Sequence, residues 1–290
     1  MKELIGKADV LIEALPYIQR FRGETIVVKF GGSAMEEKRQ YEGILTDIAF
    51  MECVGMRPVV VHGGGKAISR AMAEAGLTPK FVKGLRVTDE AAIRVVADVI
   101  VNRVNAGIVD SLKTKGARAY RIDGEDIFVV EKRTAVDKET GQTLDWGYVG
   151  EIVEVHTDRI LAAVRDNIIP VITPLGRGRD GQLYNLNADD AAAAVAKALR
   201  ARKLVYLSDV PGLLRDRNDE TSLLSTLRIR EVEELIRQGV IDGGMLPKIR
   251  SCVEALEAGV RKIHIVDGRL DHSLLLEIFT DKGVGTEITE

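Results

Sequence analysis

An α/β sandwich around a mainly parallel sheet is the fold class that the sequence predicts. Three observations predict it. Short β-branched runs alternate with longer helical patterns along all 290 residues, the rhythm of strand–helix–strand units. Several of the short runs are apolar without a break, as strands covered on both faces must be. Glycine, at 28 residues, is about a tenth of the chain against a usual ~7%, and it collects where such runs give way to helices.

The elements follow in order. Residues 8–21 (ADVLIEALPYIQRF) carry Val10, Leu11, Ala14, Leu15, Ile18 and Phe21 at three- and four-residue spacing. That is an apolar helical stripe, with Pro16 placed to kink it. Strands are expected at 25–30, 58–62, 118–122, 168–172, 203–208 and 262–266, and a half-exposed hairpin strand at 148–156. Helices are expected at 37–55, 65–76, 89–115, 158–166, 188–202, 228–238, 246–259 and 271–280. The segment 174–187 (PLGRGRDGQLYNLN), rich in Gly, Pro, Asn and Arg, marks the expected lobe boundary. Three parts are thus expected: a helix over 1–24 and two lobes over 25–176 and 177–290.

Composition removes several classes. Hydrophobic residues at 46% and charged residues at 29% exclude disorder, collagen and a small disulfide scaffold. A net charge of −3 gives no positive field for nucleic acid. Cys53 and Cys252, each in a helix-like stretch, build no disulfide framework and fit a reducing cytoplasm. No apolar run approaches the ~20 residues of a bilayer span, and the acidic N-terminus is no signal peptide. The four histidines (62, 156, 264 and 272) show no metal spacing. Trp146 reads as a packing anchor.

Glycine turns carry the chemistry. In VVKFGGS (27–33) a buried-type strand ends in Lys29 and runs through Gly31 and Gly32 towards a helix. Such a turn lets backbone N–H groups approach an anion, although a tight connection beside a solvated lysine reads equally well. In VVVHGGGKAIS (59–69) three consecutive glycines open a helix, a nest suited to a phosphoryl group. It is not a P-loop, since Val60 and Ala67 stand at the required Gly and Ser/Thr positions. No G-x-S-x-G elbow accompanies it, and Ile68 breaks a dinucleotide fingerprint. The literal G-x-G-x-x-G at Gly176, Gly178 and Gly181 opens no helix and is a chance match within a loop. In DGGMLPKIRSC (242–252) Pro247 suits a helix start and puts Lys248 at the positive end of the dipole. That is awkward unless an anion lies between them, or the lysine is simply exposed at small cost. In NLNADDAAAAVAKAL (185–199) Asn187 caps a helix and Asp189 and Asp190 suit its first turn. A strand-like QLYNL would also bring an acid to the edge that holds both lysines. A carboxylate between two lysines would fix both ammonium groups around a transferring phosphoryl. Arg86, in KGLRVTDE, is either solvated or a carboxylate clamp.

Taken together, KFGGSAM (29–35), VHGGGKAI (61–68), GLRVTD (84–89), NLNADDAA (185–192), LSDVPGLL (207–214) and GGMLPK (243–248) resemble the amino-acid kinase family. Within it they resemble the branch that phosphorylates N-acetyl-L-glutamate. The resemblance covers about residues 25–288 and implies a three-layer αβα sandwich on an eight-stranded, mainly parallel sheet. It implies an N-terminal lobe for the acyl acceptor and a C-terminal lobe for ATP, with Mg2+ on the nucleotide phosphates. By position, Lys29 would bridge acceptor and phosphoryl, Lys248 would neutralise the nucleotide side and Asp189 would organise both. Gly32, Gly63 and Gly64 would donate N–H groups, Arg86 would clamp the acceptor's α-carboxylate, and Asn185 would bind beside it. Asp209, Gly212, Leu213, Leu214, Gly243, Gly244, Met245 and Lys248 would hold the nucleotide. Lys66 and Asp190 depart from common family residues; Lys66 adds charge near the phosphoryl and Asp190 is expected to face away. Kinases of N-acyl-aminoadipate or glutamate, and a catalytically silent amino-acid sensor, are the alternatives.

The helix over 8–21 lies outside the catalytic chain, so its stripe needs a partner, either its own subunit or another. It resembles the N-terminal helix of arginine-inhibited family members, which interlaces dimers into a hexamer. The run LEIFTDKGVGTEI (276–288) resembles their arginine site, with Glu277 on the guanidinium, the turn at Gly285 closing and Tyr17 as cover. The resemblance therefore implies a hexameric trimer of dimers inhibited by L-arginine.

Overall fold

Period-two alternation in the strand Thr25–Phe30 (β1) sets the architecture. Ile26, Val28 and Phe30 pack into one buried cluster, while Val27 packs into another on the opposite side. β1 is thus a central strand with helices on both faces. The computed structural model describes residues 2–137, 141–280 and 283–290.

The chain begins with α1 (Lys2–Phe21), which continues as one helix through Pro16, and then enters β1. Next come α2 (Lys38–Cys53), β2 (Arg57–His62), α3 (Gly65–Glu74) and a ribbon of β3 (Lys80–Val82) and β4 (Leu85–Val87). A long helical stretch follows: α4 (Glu90–Asp98), a π-helical segment Val99–Asn105 and α5 (Ala106–Thr114). After it run β5 (Ala119–Ile122), β6 (Phe128–Val136), β7 (Thr143–Val155), α6 (Asp158–Arg165) and β8 (Ile169–Ile172). Two short strands, β9 (Leu175–Gly178) and β10 (Leu183–Asn185), lead to α7 (Ala188–Leu199) and β11 (Lys203–Ser208). The remainder is β12 (Thr226–Arg228), α8 (Ile229–Arg237), α9 (Met245–Glu257), β13 (Ile263–Asp267), α10 (Ser273–Ile278) and β14 (Thr286–Thr289).

Eight strands form the central sheet in the order β12-β14-β13-β11-β1-β2-β8-β5. Neighbours are parallel except β13 and β14. The expected sandwich and its eight-stranded sheet are both present. One helical layer, with α2, α3 and α5, covers Val28, Phe30, Val60 and Val205. The other, with α6, α7 and α9, covers Val27, Val59, Leu204 and Tyr206. β11 and β2 flank β1 on opposite sides, so the chain changes direction at β1, and the crevice beyond its carboxyl end is where such sheets bind ligands.

Three expectations need correcting. The helix expected over 89–115 is interrupted by the π segment, which re-aims Asn105 into the core. The segment 174–187 is not merely a loop: β9 and β10 join β6 and β7 in a closed four-stranded sheet. A Cβ on Gly176 would lie 2.4 Å from Val130 Cγ1, so that glycine permits close strand approach. The hairpin strand β7 is also longer than the expected 148–156. Among the described residues no helix is long and apolar enough to cross a membrane.

Candidate active site

The alternation that buries Val27 against α7 and α9 sends Lys29 to the same side. Its Nζ lies 2.7 Å from Asp189 Oδ1, and Lys248 Nζ lies 2.9 Å from Asp189 Oδ2. Asp189 stands in the first turn of α7, where the Asn187 side chain accepts hydrogen bonds from the N–H groups of Asp189 and Asp190. Burial alone pushes the Asp189 carboxyl up, but Lys29 and Lys248 outweigh it and hold the carboxyl well below the usual carboxylate range. Asp190 faces away and pairs with Arg133 at 2.8 Å. Lys66 is exposed.

Tyr206 completes the arrangement, and sequence reasoning missed it. It pairs with Lys29 across β1 and β11, its ring centroid lies 5.0 Å from Lys248 Nζ, and its hydroxyl donates to the Asp189 carbonyl at 3.3 Å. A cation over that ring is held without neutralising its charge.

The two glycine turns meet backbone to backbone. A Cβ on Gly31 would sit 3.1 Å from Gly63 Cα, and Gly32 has φ +62°. One expected role changes here. Gly63 cannot offer a free N–H, because it donates to the Phe30 carbonyl at 2.8 Å. Among the described residues the N–H groups of Gly64 and Gly65 have no such partner, so the loop's open donors begin at Gly64.

Behind this loop is a cavity of about 170 Å³ lined by Gly63, Gly64, Arg86, Pro174 and Asn185. Arg86 is buried, with Nη2 donating to Gly65 O and Ser69 Oγ, both at 2.8 Å, and its guanidinium 4.7 Å from the Phe81 ring centroid. Burial lowers its pKa, and among the described residues no carboxylate pairs with it. A buried guanidinium without an anion invites one. The ribbon that carries Arg86 is pinned by Trp146, whose Nε1 donates to Val82 O at 2.9 Å, so Trp146 is the expected anchor. Asn185 Nδ2 approaches Thr88 Oγ1 at 3.5 Å.

Across the Lys248 side lies a larger cavity of about 600 Å³, within the range of small-molecule sites. Asp209, Gly212, Leu213, Leu214, Gly244, Met245 and Lys248 line it. Gly243 does not line it; with φ +47° it turns the chain into α9. The Leu213 N–H donates to Thr286 Oγ1 at 2.8 Å, and a Cβ on Gly212 would lie 2.6 Å from that oxygen. Arg217 and Arg269 also line this cavity. Neither was legible, since each is one arginine among many in loops. Among the described residues no group of three or more His, Cys, Asp or Glu is placed to hold a metal ion.

A third cavity, of about 150 Å³, brings Tyr17 of α1 and Glu277 of α10 together with Lys203, His264 and Gly283. Burial pushes the Glu277 carboxyl up, but His264 Nδ1 at 2.6 Å and the N–H groups of Val284 and Gly285 bring it below its ordinary value. The expected closing turn at Gly285 is already packed: its Cβ would lie 2.2 Å from Ile265 O, and Gly283 is the glycine that faces the cavity. Asp281 and Lys282 of the run 276–288 lie outside the described residues.

A family model described as "Amino acid kinase family" matches residues 24–267. The chain belongs to the amino acid kinase family. An acetylglutamate kinase of Carboxydothermus hydrogenoformans is 49% identical over 293 aligned positions, covering 100% of each chain. One from Akkermansia muciniphila is 47% identical, covering 98% of this chain and 96% of that one. Among solved structures of this family's fold, N-acetylglutamate synthase from Neisseria gonorrhoeae, complexed with coenzyme A and N-acetyl-glutamate, superposes with TM-score 0.82 at 31% identity, covering 97% of this chain. This chain spans 62% of that longer enzyme. The same synthase complexed with coenzyme A and L-arginine gives TM-score 0.78 at 30% identity, covering 96% of this chain and 64% of that one.

Proposed function

We propose that this chain transfers the γ-phosphoryl group of ATP to the side-chain carboxylate of N-acetyl-L-glutamate, forming an acyl phosphate for arginine synthesis. Full-length likeness to acetylglutamate kinases supports the reaction and the acceptor. The observation that carries the chemistry is the Lys29–Asp189–Lys248 line between an anion-ready cavity and a larger one. Phosphoryl transfer asks chiefly for positioning and neutralised charge, and this arrangement supplies both. Arg86 clamps the acceptor's α-carboxylate beside Asn185, while the N–H groups of Gly32 and Gly64 face the reacting oxygens. Lys29 bridges acceptor and phosphoryl, Lys248 attends the leaving side, and Asp189 keeps the two ammonium groups in place. The nucleotide lies along Asp209–Leu214 and the start of α9, with Mg2+ held mainly through its phosphates. The acceptor lobe then runs from residue 25 to about Asn187 and the nucleotide lobe follows it, later than the expected boundary at 176/177, because β9 and β10 belong to the sheet of β6 and β7 and Asn185 lines the acceptor cavity with Arg86.

Regulation by arginine belongs to the same reading. The cavity joining Tyr17, Glu277 and Gly283 offers a carboxylate under an aromatic cover. Val10, Leu11 and Leu15 of α1 are exposed while Phe21 is buried, which leaves a stripe for another subunit in a hexamer. Trapping the acyl phosphate with hydroxylamine tests the activity: hydroxamate should form with ATP and N-acetyl-L-glutamate. Hydroxamate from N-acetyl-aminoadipate or free glutamate at higher kcat/KM would refute the acceptor assignment.

A further inference from the structure

His62 ends β2, is 0% exposed, and has no role in the reading above. Its ring makes two hydrogen bonds: Nδ1 with the Gly63 carbonyl at 2.9 Å and Nε2 with Asn105 Nδ2 at 2.9 Å. Asn105 Nδ2 also donates to the Val171 carbonyl of β8 at 3.0 Å. These contacts fix every proton. Val171 O can only accept, so the Asn105 amide must turn its nitrogen towards it. The second hydrogen on that nitrogen then meets Nε2, which must be a lone pair. The ring proton is therefore on Nδ1 and is donated to the Gly63 carbonyl. In a trans peptide the C=O and the following N–H point in opposite directions. Holding the Gly63 carbonyl on the buried ring thus turns the Gly64 N–H away from His62, and Gly64 lines the cavity with Arg86 and Asn185.

We infer that His62 and Asn105 are positioning residues for phosphoryl transfer: through a fixed imidazole tautomer they lock the Gly63–Gly64 peptide so that the Gly64 N–H faces the reacting oxygens. The inference rests on the proposed reading of this site. Four further observations support it. Asn105 Oδ1 is buried with no partner among the described residues. An apolar side chain would avoid that cost, so what Asn105 contributes is its donor. Asn105 reaches the ring because the π segment supplies an extra residue per turn. Ile100 of the same segment closes on the loop, since a Cβ on Gly64 would lie 2.6 Å from its Cδ1. Burial pushes the His62 pKa down to about 4, so the ring stays neutral through the physiological range.

Ring ¹⁵N NMR on the intact wild-type chain tests the lock directly, with only four histidines to assign. The expected result is a neutral, Nδ1-protonated His62; an Nε2-protonated ring would overturn the inference. Kinetics supply the second arm. In His62→Asn the amide nitrogen can occupy the place of Nδ1 and still donate to Gly63, whereas in His62→Gln it falls near Nε2 and leaves that carbonyl unpaired. The Gln variant should lose about tenfold to a hundredfold in kcat, less than the ~10²–10³ of deleting an oxyanion donor because the Gly64 N–H is loosened and not removed, with KM for ATP unchanged. The Asn variant should recover most of that loss. Equal losses in both variants that track their melting temperatures would show a merely structural role and overturn the inference. A wild-type chain that forms no hydroxamate from N-acetyl-L-glutamate would refute the functional reading alone, because the tautomer is read without turnover.

Discussion

Asp189→Asn keeps the shape of the carboxylate and removes the charge that binds two lysines. Losing one member of a buried ion pair costs about 3–5 kcal/mol. The Asp189 side chain keeps 22% exposure, and solvent screening brings the expected cost to about 2–3 kcal/mol. At about 2–4 °C per kcal/mol for a chain of this size, Tm should fall by about 4–12 °C. The ammonium groups of Lys29 and Lys248 then repel each other without a mediator, and kcat should drop by about 10²–10³, the scale of losing aimed charge at a developing anion. Acid stability gives an independent check. The folded carboxyl titrates below its unfolded value of about 3.9, so its contribution is fully present above that value. It is lost as pH falls through the lowered folded pKa. The difference in stability between wild type and variant should therefore shrink below about pH 4. Fluorimetric melting from pH 7 downward, paired with the hydroxamate assay, measures all three. A variant that melts with the wild type and turns over within about twofold of it would refute the organising role of Asp189.

On the proposed reading Lys248→Ala removes a charge that acts on the phosphoryl in flight, so kcat should fall by about a hundredfold or more while acceptor KM stays within a few-fold. Arg86→Ala should do the reverse, raising acceptor KM by about tenfold to a hundredfold, the scale of a charge-assisted hydrogen bond; a loss confined to kcat would contradict the clamp. Gly147 has φ +73°, and a Cβ there would lie 2.2 Å from Thr88 O. Gly147→Ala should therefore push the β6–β7 hairpin off the segment carrying Arg86, raise acceptor KM and cost about 1–3 kcal/mol of stability; an unchanged KM would count against that coupling. Deleting residues 1–22 should leave an active dimer with a weaker response to arginine, and sedimentation of the intact chain as a dimer indifferent to arginine would refute the hexamer.

What the sequence makes legible is what local physics makes awkward. Lys248 at the positive end of a helix, Lys29 at the end of a buried strand and a glycine run longer than a turn needs each ask for an anion, and the fold brings them to one crevice. Tyr206 was hidden because its role depends on the β1–β11 register, which pairs it with Lys29. β9 was hidden because Gly176 and Gly178 read as loop residues until Val130 and Tyr184 are seen filling the space where a Cβ would stand. The π segment was hidden for a subtler reason: one extra residue in a long apolar helix leaves the hydrophobic pattern nearly intact while changing which side chain points inward. HGGG shows the limit most sharply. Read alone, all three glycines are free to donate to a ligand. In the fold, the Gly63 N–H is taken by Phe30 because two glycine turns must pack against each other, and its carbonyl is taken by His62. Fixing both groups of one residue is what, on the inference above, leaves the next N–H, that of Gly64, free for the cleft.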